Sequence, residues 1–324
     1  MTTYKEIFGK YVRNFSSDPS SDIEGQIWYN STSGTFKSQV SLGAAWASGG
    51  NMGTARYGLG GAGTQTAGLG FGGNNGTANV TSTEEYDGSA WTAGGNLGTA
   101  RTRLAGAGTQ TAGLGFGGFI TSVNSNATEE YDGSAWTGGG NMGTARHALG
   151  GCGTQTSALG FGGNVTPFDT NSNATEEYDG SAWTGGGNLG TARRDLAGCG
   201  TQTAGLAFGG FTTTAVNSTE EYDGSAWTGG GNMVTARRGL AGCGTQTAGL
   251  GFGGRTTVNV TATEEYDGTS WTTSTAMATV RRMLGGAGTQ TAGLGFGGYT
   301  DPGVVANTEE YTDPTLAVQT ITTS

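Results

Sequence analysis

One histidine, three cysteines and a recurring Glu-Glu pair are the side chains of this 324-residue sequence best suited to do chemistry, and their placement speaks against each chemistry in turn. His147 would have to serve every repeated serine and threonine if a Ser-His-Asp hydrolase were present. It also stands where the sequence elsewhere has Tyr57, Thr102, Arg194, Arg238 and Arg282, so it is expected at a surface or a channel mouth. The pairs Glu84/Glu85, Glu129/Glu130, Glu176/Glu177, Glu220/Glu221, Glu264/Glu265 and Glu309/Glu310 suggest glycosidase acids. Neighbours on a strand point to opposite faces, however, so such a pair cannot flank one glycosidic bond from one side. A structural role is expected instead, one glutamate of each pair meeting an arginine of its own or the next repeat. Cys152, Cys199 and Cys243 occupy one position of a Gly-Cys-Gly-Thr-Gln-Thr motif that is filled elsewhere by Ala62, Ala107 and Ala287. That position wants a small packing residue, and no disulfide framework is indicated. The sequence has no Asp-x-Asp-x-Asp-Gly calcium loop, and its glycine stretches do not lead into helices that could cradle phosphate. No catalytic, metal or cofactor residue is therefore assigned, and no enzyme is expected. Sequons such as Asn79-Val80-Thr81 carry no information without a secretion signal.

Composition narrows the class further. There are 67 glycines, only 4 prolines and 12% charged residues, with 15 basic against 25 acidic side chains. Glycine has no period of three, which excludes collagen. The 7 Trp, 11 Tyr and 12 Phe argue against disorder. No apolar run reaches membrane-spanning length, so no membrane insertion is expected. Met1 to Asp22 lacks a signal-peptide core, which speaks against general secretory export. An acidic chain whose lysines are Lys5, Lys10 and Lys37 is a poor nucleic-acid binder.

What positions these residues is a sixfold internal repeat. Thr-Ala/Val-Arg triplets end at Arg56, Arg101, Arg146, Arg193, Arg237 and Arg281, spaced by 45, 45, 47, 44 and 44 residues, each ten residues after a tryptophan. Each copy continues through Gly-Thr-Gln-Thr, a Phe-Gly-Gly stretch, a variable segment and Thr-Glu-Glu-Tyr. Short alternating stretches separated by turn signals predict four strands per copy. In the second copy these are Arg103 to Gly108, Ala112 to Gly117, Thr128 to Tyr131 and Ser134 to Thr137, with Asp132-Gly133 as a two-residue primed turn. The fold predicted is all-β, a six-bladed β-propeller of four-stranded blades. Radial taper gives the glycine a cause, since the first two strands of each copy hold Gly, Ala and Cys while Tyr and Trp come last. An α-solenoid of the same period would lose about 1 kcal/mol per helical glycine.

The last Thr-Glu-Glu-Tyr, ending at Tyr311, has no tryptophan after it, whereas Trp46 has no such motif before it. Gly43 to Ala47 is therefore expected to pair beside Thr308 to Tyr311 and latch the ring. The alternative latch is Leu316 to Ile321. This divides the chain into an N-terminal docking segment (1–42), a propeller (43–311) and a tail (312–324).

Gly117-Gly118, Tyr131-Asp132 and Trp136 resemble the kelch-type propeller repeat, over residues 43 to 311. The resemblance implies the fold but little about function, because such propellers serve as enzymes, adaptors and adhesins. Some are copper-radical oxidases, whose two histidine ligands a single His147 cannot supply. Glu24-Gly25-Gln26-Ile27-Trp28-Tyr29-Asn30, followed by Ser31 to Lys37, resembles a short β-hairpin motif of tailed-bacteriophage structural proteins. Near-identical repeats with variable loops are likewise similar to virion proteins of marine phages.

The variable loops are Asn74 to Ser82, Phe119 to Ala127, Asn164 to Ala174, Phe211 to Ser218, Arg255 to Ala262 and Tyr299 to Asn307. They are expected on one face, opposite the constant Gly-Thr-Gln-Thr and Asp-Gly turns. A constant scaffold with one diverging loop set suggests recognition. Candidate residues are the loop residue Arg255 and the aromatics Phe119, Phe168, Phe211 and Tyr299, taken as exposed, with Tyr57, Arg103, His147, Arg194, Arg238 and Arg282 near the axis. The first 42 residues are too few to bury Tyr4, Phe8, Tyr11, Phe15, Trp28 and Tyr29 alone, so these are docking candidates. The expectation is a virion protein that docks on other virion proteins or further copies of itself and binds a host-surface glycan or protein. The alternatives are a capsid or tail decoration subunit without receptor binding, and an intracellular kelch-like adaptor.

Overall fold

The computed structural model describes residues 12–19, 26–41, 43–165, 170–313 and 316–321, and among these it is all-β, with no helix. Its residues fall into two compact units, Met1–Ala45 with Asp313–Ser324, and Trp46–Thr312.

The larger unit holds six four-stranded antiparallel sheets among its described residues, one to a repeat, an arrangement consistent with a β-propeller. The second copy shows the pattern: Ala105–Gly108, Gly113–Phe116, Thr128–Tyr131 and Trp136–Gly138, hydrogen-bonded in that order. These lie within two residues of the predicted strands. The Asp-Gly turn differs from expectation. Tyr131 pairs with Trp136, so the loop is the four residues from Asp132 to Ala135. Gly133 alone takes a positive φ, of 91°. Asp132 stays on the ordinary side because its Oδ1 accepts the N–H groups of Ser134 and Ala135 at 2.9 and 2.8 Å. The side chain thus supplies the turn that a left-handed backbone would otherwise have made.

First strands are neighbours of first strands: each lies against those of the preceding and following repeats, and the sixth, Gly285–Gly288, lies against the first, Gly60–Gly63. Between them runs a narrow space of about 140 Å³ lined by Gly, Ala, Leu and a few larger residues from all six repeats. Glycine is required there by proximity. A Cβ on Gly106 would sit 2.4 Å from the Gly61 carbonyl oxygen, and backbone cannot yield as a flexible side chain would.

Farther out, the missing side chains become sockets. Leu69 and Phe71 of the first sheet are fully buried. A Cβ on Gly113 would meet Leu69 at 2.6 Å, and one on Gly115 would meet Phe71 at 2.8 Å, so the second sheet keeps glycine where the first inserts its large residues. Each such burial is worth about 1.5–3 kcal/mol. Trp136 closes the same seam, its ring 4.8 Å from Phe71 and its Nε1–H donating to Thr83 Oγ1 at 2.9 Å. The three cysteines are buried and unpaired, filling the small-residue position as expected. Burial pushes the Cys152 and Cys243 thiols up to about 12 and Cys199 well above its usual value, so all three stay protonated.

The sixth sheet takes its outermost strand from Ala45–Ser48, beside Thr308–Thr312. Trp46 does there what the other outer tryptophans do. Its ring lies 5.1 Å from Phe252 and 5.2 Å from Tyr311, and its Nε1–H donates to Thr263 Oγ1 at 3.0 Å.

In the smaller unit Ile27–Asn30 and Thr35–Ser41 form the hairpin that the N-terminal motif suggests, with Trp28 opposite Lys37. Arg13–Phe15 runs parallel to its first strand. Leu316–Thr320 pairs with Thr35–Ser41, so the C-terminal tail joins this sheet rather than the sixth repeat. Of the docking candidates, Tyr4, Phe8 and Tyr11 lie outside the described residues. Phe15 and Tyr29 are half-buried, and the Tyr29 ring lies 5.2 Å from Phe36. Trp28 is fully buried, and its indole N–H donates to Asp18 at 3.1 Å.

Candidate recognition face

The residues that carry the face are fixed by hydrogen bonds made inside and between repeats. Each arginine of the Thr-Ala/Val-Arg series is fully buried and pairs with the first glutamate of its own repeat. The distances are 3.1 Å for Arg56–Glu84, 2.8 Å for Arg101–Glu129, 2.9 Å for Arg146–Glu176, 3.1 Å for Arg193–Glu220, 3.0 Å for Arg237–Glu264 and 3.0 Å for Arg281–Glu309. The guanidinium also serves as a donor hub. In the third repeat Arg146 donates to the carbonyls of Gly162, Ala174 and Gly160 at 3.0, 2.5 and 3.4 Å, and only its Nε–H lacks an acceptor. Burial lowers the pKa of these arginines, to about 10 for Arg56 and Arg281, against the opposing pull of the glutamate.

The second glutamate faces the neighbouring repeat, as alternation on a strand requires. Glu85 accepts the Tyr131 hydroxyl at 2.5 Å, Glu130 accepts Tyr178 at 2.5 Å, and Glu310 of the sixth repeat accepts Tyr86 of the first at 2.5 Å. Tyr311 donates likewise to Glu265. Burial first, and then the carboxylate, push the hydroxyls of Tyr86, Tyr131, Tyr178, Tyr222 and Tyr266 up to about 12. The glutamine of Gly-Thr-Gln-Thr makes a third link: Gln155 Nε2 donates to the Gly113 and Tyr131 carbonyls at 3.0 and 2.7 Å, and Gln65 reaches Gly293 and Tyr311 in the same way.

Just past each buried arginine the chain emerges. Tyr57, Thr102, His147, Arg194, Arg238 and Arg282 pair by backbone bridges with Asn74, Phe119, Asn164, Phe211, Arg255 and Tyr299, the first residues of the six variable loops. The post-arginine positions and the loops therefore share a face, as expected. One residue further on, six backbone groups bond in series. Arg103 N–H donates to Gly58 C=O at 2.5 Å, Ala148 to Arg103, Asp195 to Ala148, Gly239 to Asp195, Met283 to Gly239, and Gly58 to Met283 at 2.7 Å. Arg103, Ala148, Asp195 and Met283 hold φ at 53° to make this geometry, a left-handed conformation uncommon for non-glycine residues. Arg103 thus belongs to this inner series, one place deeper than the position of His147 and Arg194 with which it was grouped. The Arg-Thr-Arg run of the second copy hides the step.

Around that series lies a cavity of about 500 Å³ lined by Arg103, His147, Arg194, Arg238, Arg255 and Arg282 with Asp195, Gly239 and Met283. A second cavity, of about 960 Å³, adjoins it through Arg103 and His147 and runs out between the first loops, with Tyr57, Phe119 and Asn164 in its wall. Phe119, Phe211 and Tyr299 are half-buried, not exposed as expected, and cations cover the last two. Arg238 lies 4.2 Å and Arg194 5.2 Å from the Phe211 ring centroid, and Arg282 lies 4.7 Å from that of Tyr299. The Phe119 and His147 rings lie 5.2 Å apart, tilted by 55°. Phe168 lies outside the described residues. Burial and the neighbouring guanidiniums of Arg255, Arg194 and Arg282 lower the Arg238 pKa, with Asp195 pulling the other way.

A set of loop asparagines escaped the sequence reading. Asn79, Asn124, Asn171 and Asn259 each donate Nδ2–H to the first loop carbonyl of the next repeat, at 2.9, 2.8, 3.0 and 3.2 Å. The Oδ1 atoms of Asn124, Asn171 and Asn259 take a bond from the post-arginine residue, as Arg282 does with Asn259 at 2.8 Å and His147 with Asn124 at 2.8 Å, whereas Asn79 Oδ1 accepts from the Asn74 amide at 2.9 Å. An asparagine four to seven residues into the loop was the available signal, but loop lengths differ and blur it. Among the described residues no three His, Cys, Asp or Glu side chains converge as a metal site would require.

No protein-family profile matches the chain. No curated protein sequence is significantly similar to it.

Proposed function

We propose that the six repeats form a closed, six-bladed, kelch-like β-propeller, and that the chain is a non-enzymatic virion protein of a tailed bacteriophage whose variable face recognises a host-surface molecule. Support for the closed ring comes from bonds that join the sixth repeat to the first just as they join adjacent repeats: Tyr86 to Glu310, Gln65 to Gly293, and Gly58 to Met283. A two-dimensional average of the purified chain with sixfold pseudosymmetry is the expected result, and an open arc would sink the ring.

The observation that carries recognition is the contrast between the two ends of the repeats. Gln and Asp-Gly contacts recur almost unchanged on one side, while on the other the six different loops begin beside the post-arginine residues, most of which line an arginine-rich cavity. The virion assignment rests on the resemblance of the N-terminal hairpin motif and of the repeats to phage structural proteins. Exchanging the six loops for those of an unrelated copy should abolish adsorption of particles to their host cells while leaving assembly intact. Unchanged adsorption would favour the decoration role. Failure of antibodies against the chain to label purified particles would remove the virion reading altogether.

A further inference from the structure

The larger unit contains eleven arginines and no lysine, and six of the eleven are the buried partners of glutamate. The other five, Arg103, Arg194, Arg238, Arg255 and Arg282, all line the 500 Å³ cavity at the centre of the variable face. In a chain of formal net charge −10, the positive charge outside the buried pairs of this unit is thus gathered at one mouth.

Local carboxylates do not balance it. Asp195 lies 4.0 Å from Arg103, and Asp301 lies 3.6 Å from both Arg255 and Arg282. Asp169 belongs to the third loop by sequence, outside the described residues. Counting all three still leaves five guanidiniums against three carboxylates. Asp301 is more than half exposed, so it is easily displaced by a competing anion. Four of the arginines come from the fourth, fifth and sixth repeats and one from the second, so the charge converges from several elements rather than following one strand.

A second observation points the same way. Asn164 is 1% exposed in the wall shared with Arg103, His147 and Phe119, and neither its Oδ1 nor its Nδ2 has a hydrogen-bond partner. A buried amide left without partners is costly, so such a group calls for a partner that enters its cavity.

We propose that this mouth is the binding site for an acidic saccharide, its carboxylate or sulfate held by Arg238, Arg255 and Arg282 and its hydroxyls met by the amides and the Phe119–His147 wall. The guanidinium fork matches planar carboxylate and sulfate oxygens in pairs. The cavity volumes fall in the range of roughly 300–1,000 Å³ typical of small-ligand sites. A protein partner would call for an exposed apolar centre, and the exposed large aliphatics among the described residues, such as Val123, Val234 and Val258, do not line this cavity. The inference deepens the recognition reading by naming its ligand class, and it rests on that reading only for its biological use.

The test is titration calorimetry of the full chain with trigalacturonate, sulfated galactobiose, galactotriose, inorganic sulfate, inorganic phosphate and a poly-glutamate peptide. Expected are saturable binding of the acidic saccharides that weakens as salt rises, at least tenfold weaker binding of galactotriose, and at least a tenfold loss in Arg238→Gln and in Arg282→Gln with circular dichroism and melting unchanged. Asn164→Ala should weaken saccharide binding without altering its salt dependence. Equal binding of the neutral sugar, or no loss in either arginine variant, overturns the proposal. So does binding of sulfate or phosphate as tight as that of the saccharides, which would mark a small-anion site, or preference for the peptide, which would mark a protein partner. If neither acidic saccharide binds, the proposal is overturned as well. Loop exchange that abolishes adsorption while Arg238→Gln leaves it intact sinks this proposal and spares the recognition reading; saccharide binding by a chain whose loop exchange leaves adsorption unchanged does the reverse.

Discussion

Two sets of arginines share this molecule and lead opposite lives. Those between the strands, such as Arg146, are fully buried, fixed by an ion pair and three carbonyls, and repeated almost identically six times. Those at the mouth, such as Arg238, are partly exposed, lie over an aromatic ring, and differ from copy to copy. The first set joins the Thr-Ala/Val-Arg turn to its sheet and so holds the emerging chain in place. The second uses the place so made. Residue type alone therefore says little here; what separates structure from function is whether the guanidinium's donors are already spent on backbone.

The comparison can be broken from the buried side first. Arg146→Ala should cost about 3–5 kcal/mol, because it leaves Glu176 buried without its counterion. Urea unfolding measures this, and a loss under 1 kcal/mol would remove the distinction between the two sets. Adding Glu176→Leu should recover only part of the loss, since the carbonyls of Gly160, Gly162 and Ala174 would still lack their donor.

Next in size is Tyr131→Phe, which removes a charge-assisted hydrogen bond to Glu85 and should cost about 1.5–3 kcal/mol at neutral pH. The same hydroxyls set an alkaline limit. Folding raises their pKa to about 12, above the unfolded value near 10. A raised pKa means the folded state holds the proton longer, so the stabilisation is complete below about pH 10 and is lost as pH climbs towards 12. Unfolding free energies across that window should fall in the parent chain and fall less steeply in Tyr131→Phe; parallel curves would mean that these hydroxyls do not govern the decline.

Gln155→Ala, which deletes two bonds to the preceding repeat, should cost about 1–2 kcal/mol. Arg238→Gln should change stability by less than about 0.5 kcal/mol, the range for surface sites. Thermal melts rank the two, and a mouth variant that destabilises more than the glutamine variant would show that the mouth also holds the fold together.

Much of this was legible in the order of residues. The spacing of Trp, Arg and Glu-Glu-Tyr predicted four strands per copy and an arginine–glutamate pair, and alternation along a strand already said that the two glutamates must part company. Which repeat each glutamate serves depends on inter-sheet packing, and no spacing reveals that. The Asp-Gly signal identified a turn but overstated its tightness, because an Asx side chain can replace a left-handed backbone residue. The inner series from Gly58 to Met283 was invisible, being made by main-chain atoms whose side chains range from none to arginine. Phe211 and Tyr299 were read as exposed because a loop aromatic looks unpartnered until the arginines beside it in space, Arg238 and Arg282, are known.

Trp46 has one more implication, for how the molecule is made. Its indole must wait for Thr263, 217 residues later, before its hydrogen bond can form, and its strand waits longer still for Thr308–Thr312. Contacts of such long range are slow to form, and until then the strand stands outside the ribosome without its partner. Synthesis therefore exposes this strand to intermolecular capture for as long as the stretch between it and Thr308–Thr312 takes to emerge, and many chains translated side by side at once would be its most hazardous circumstance.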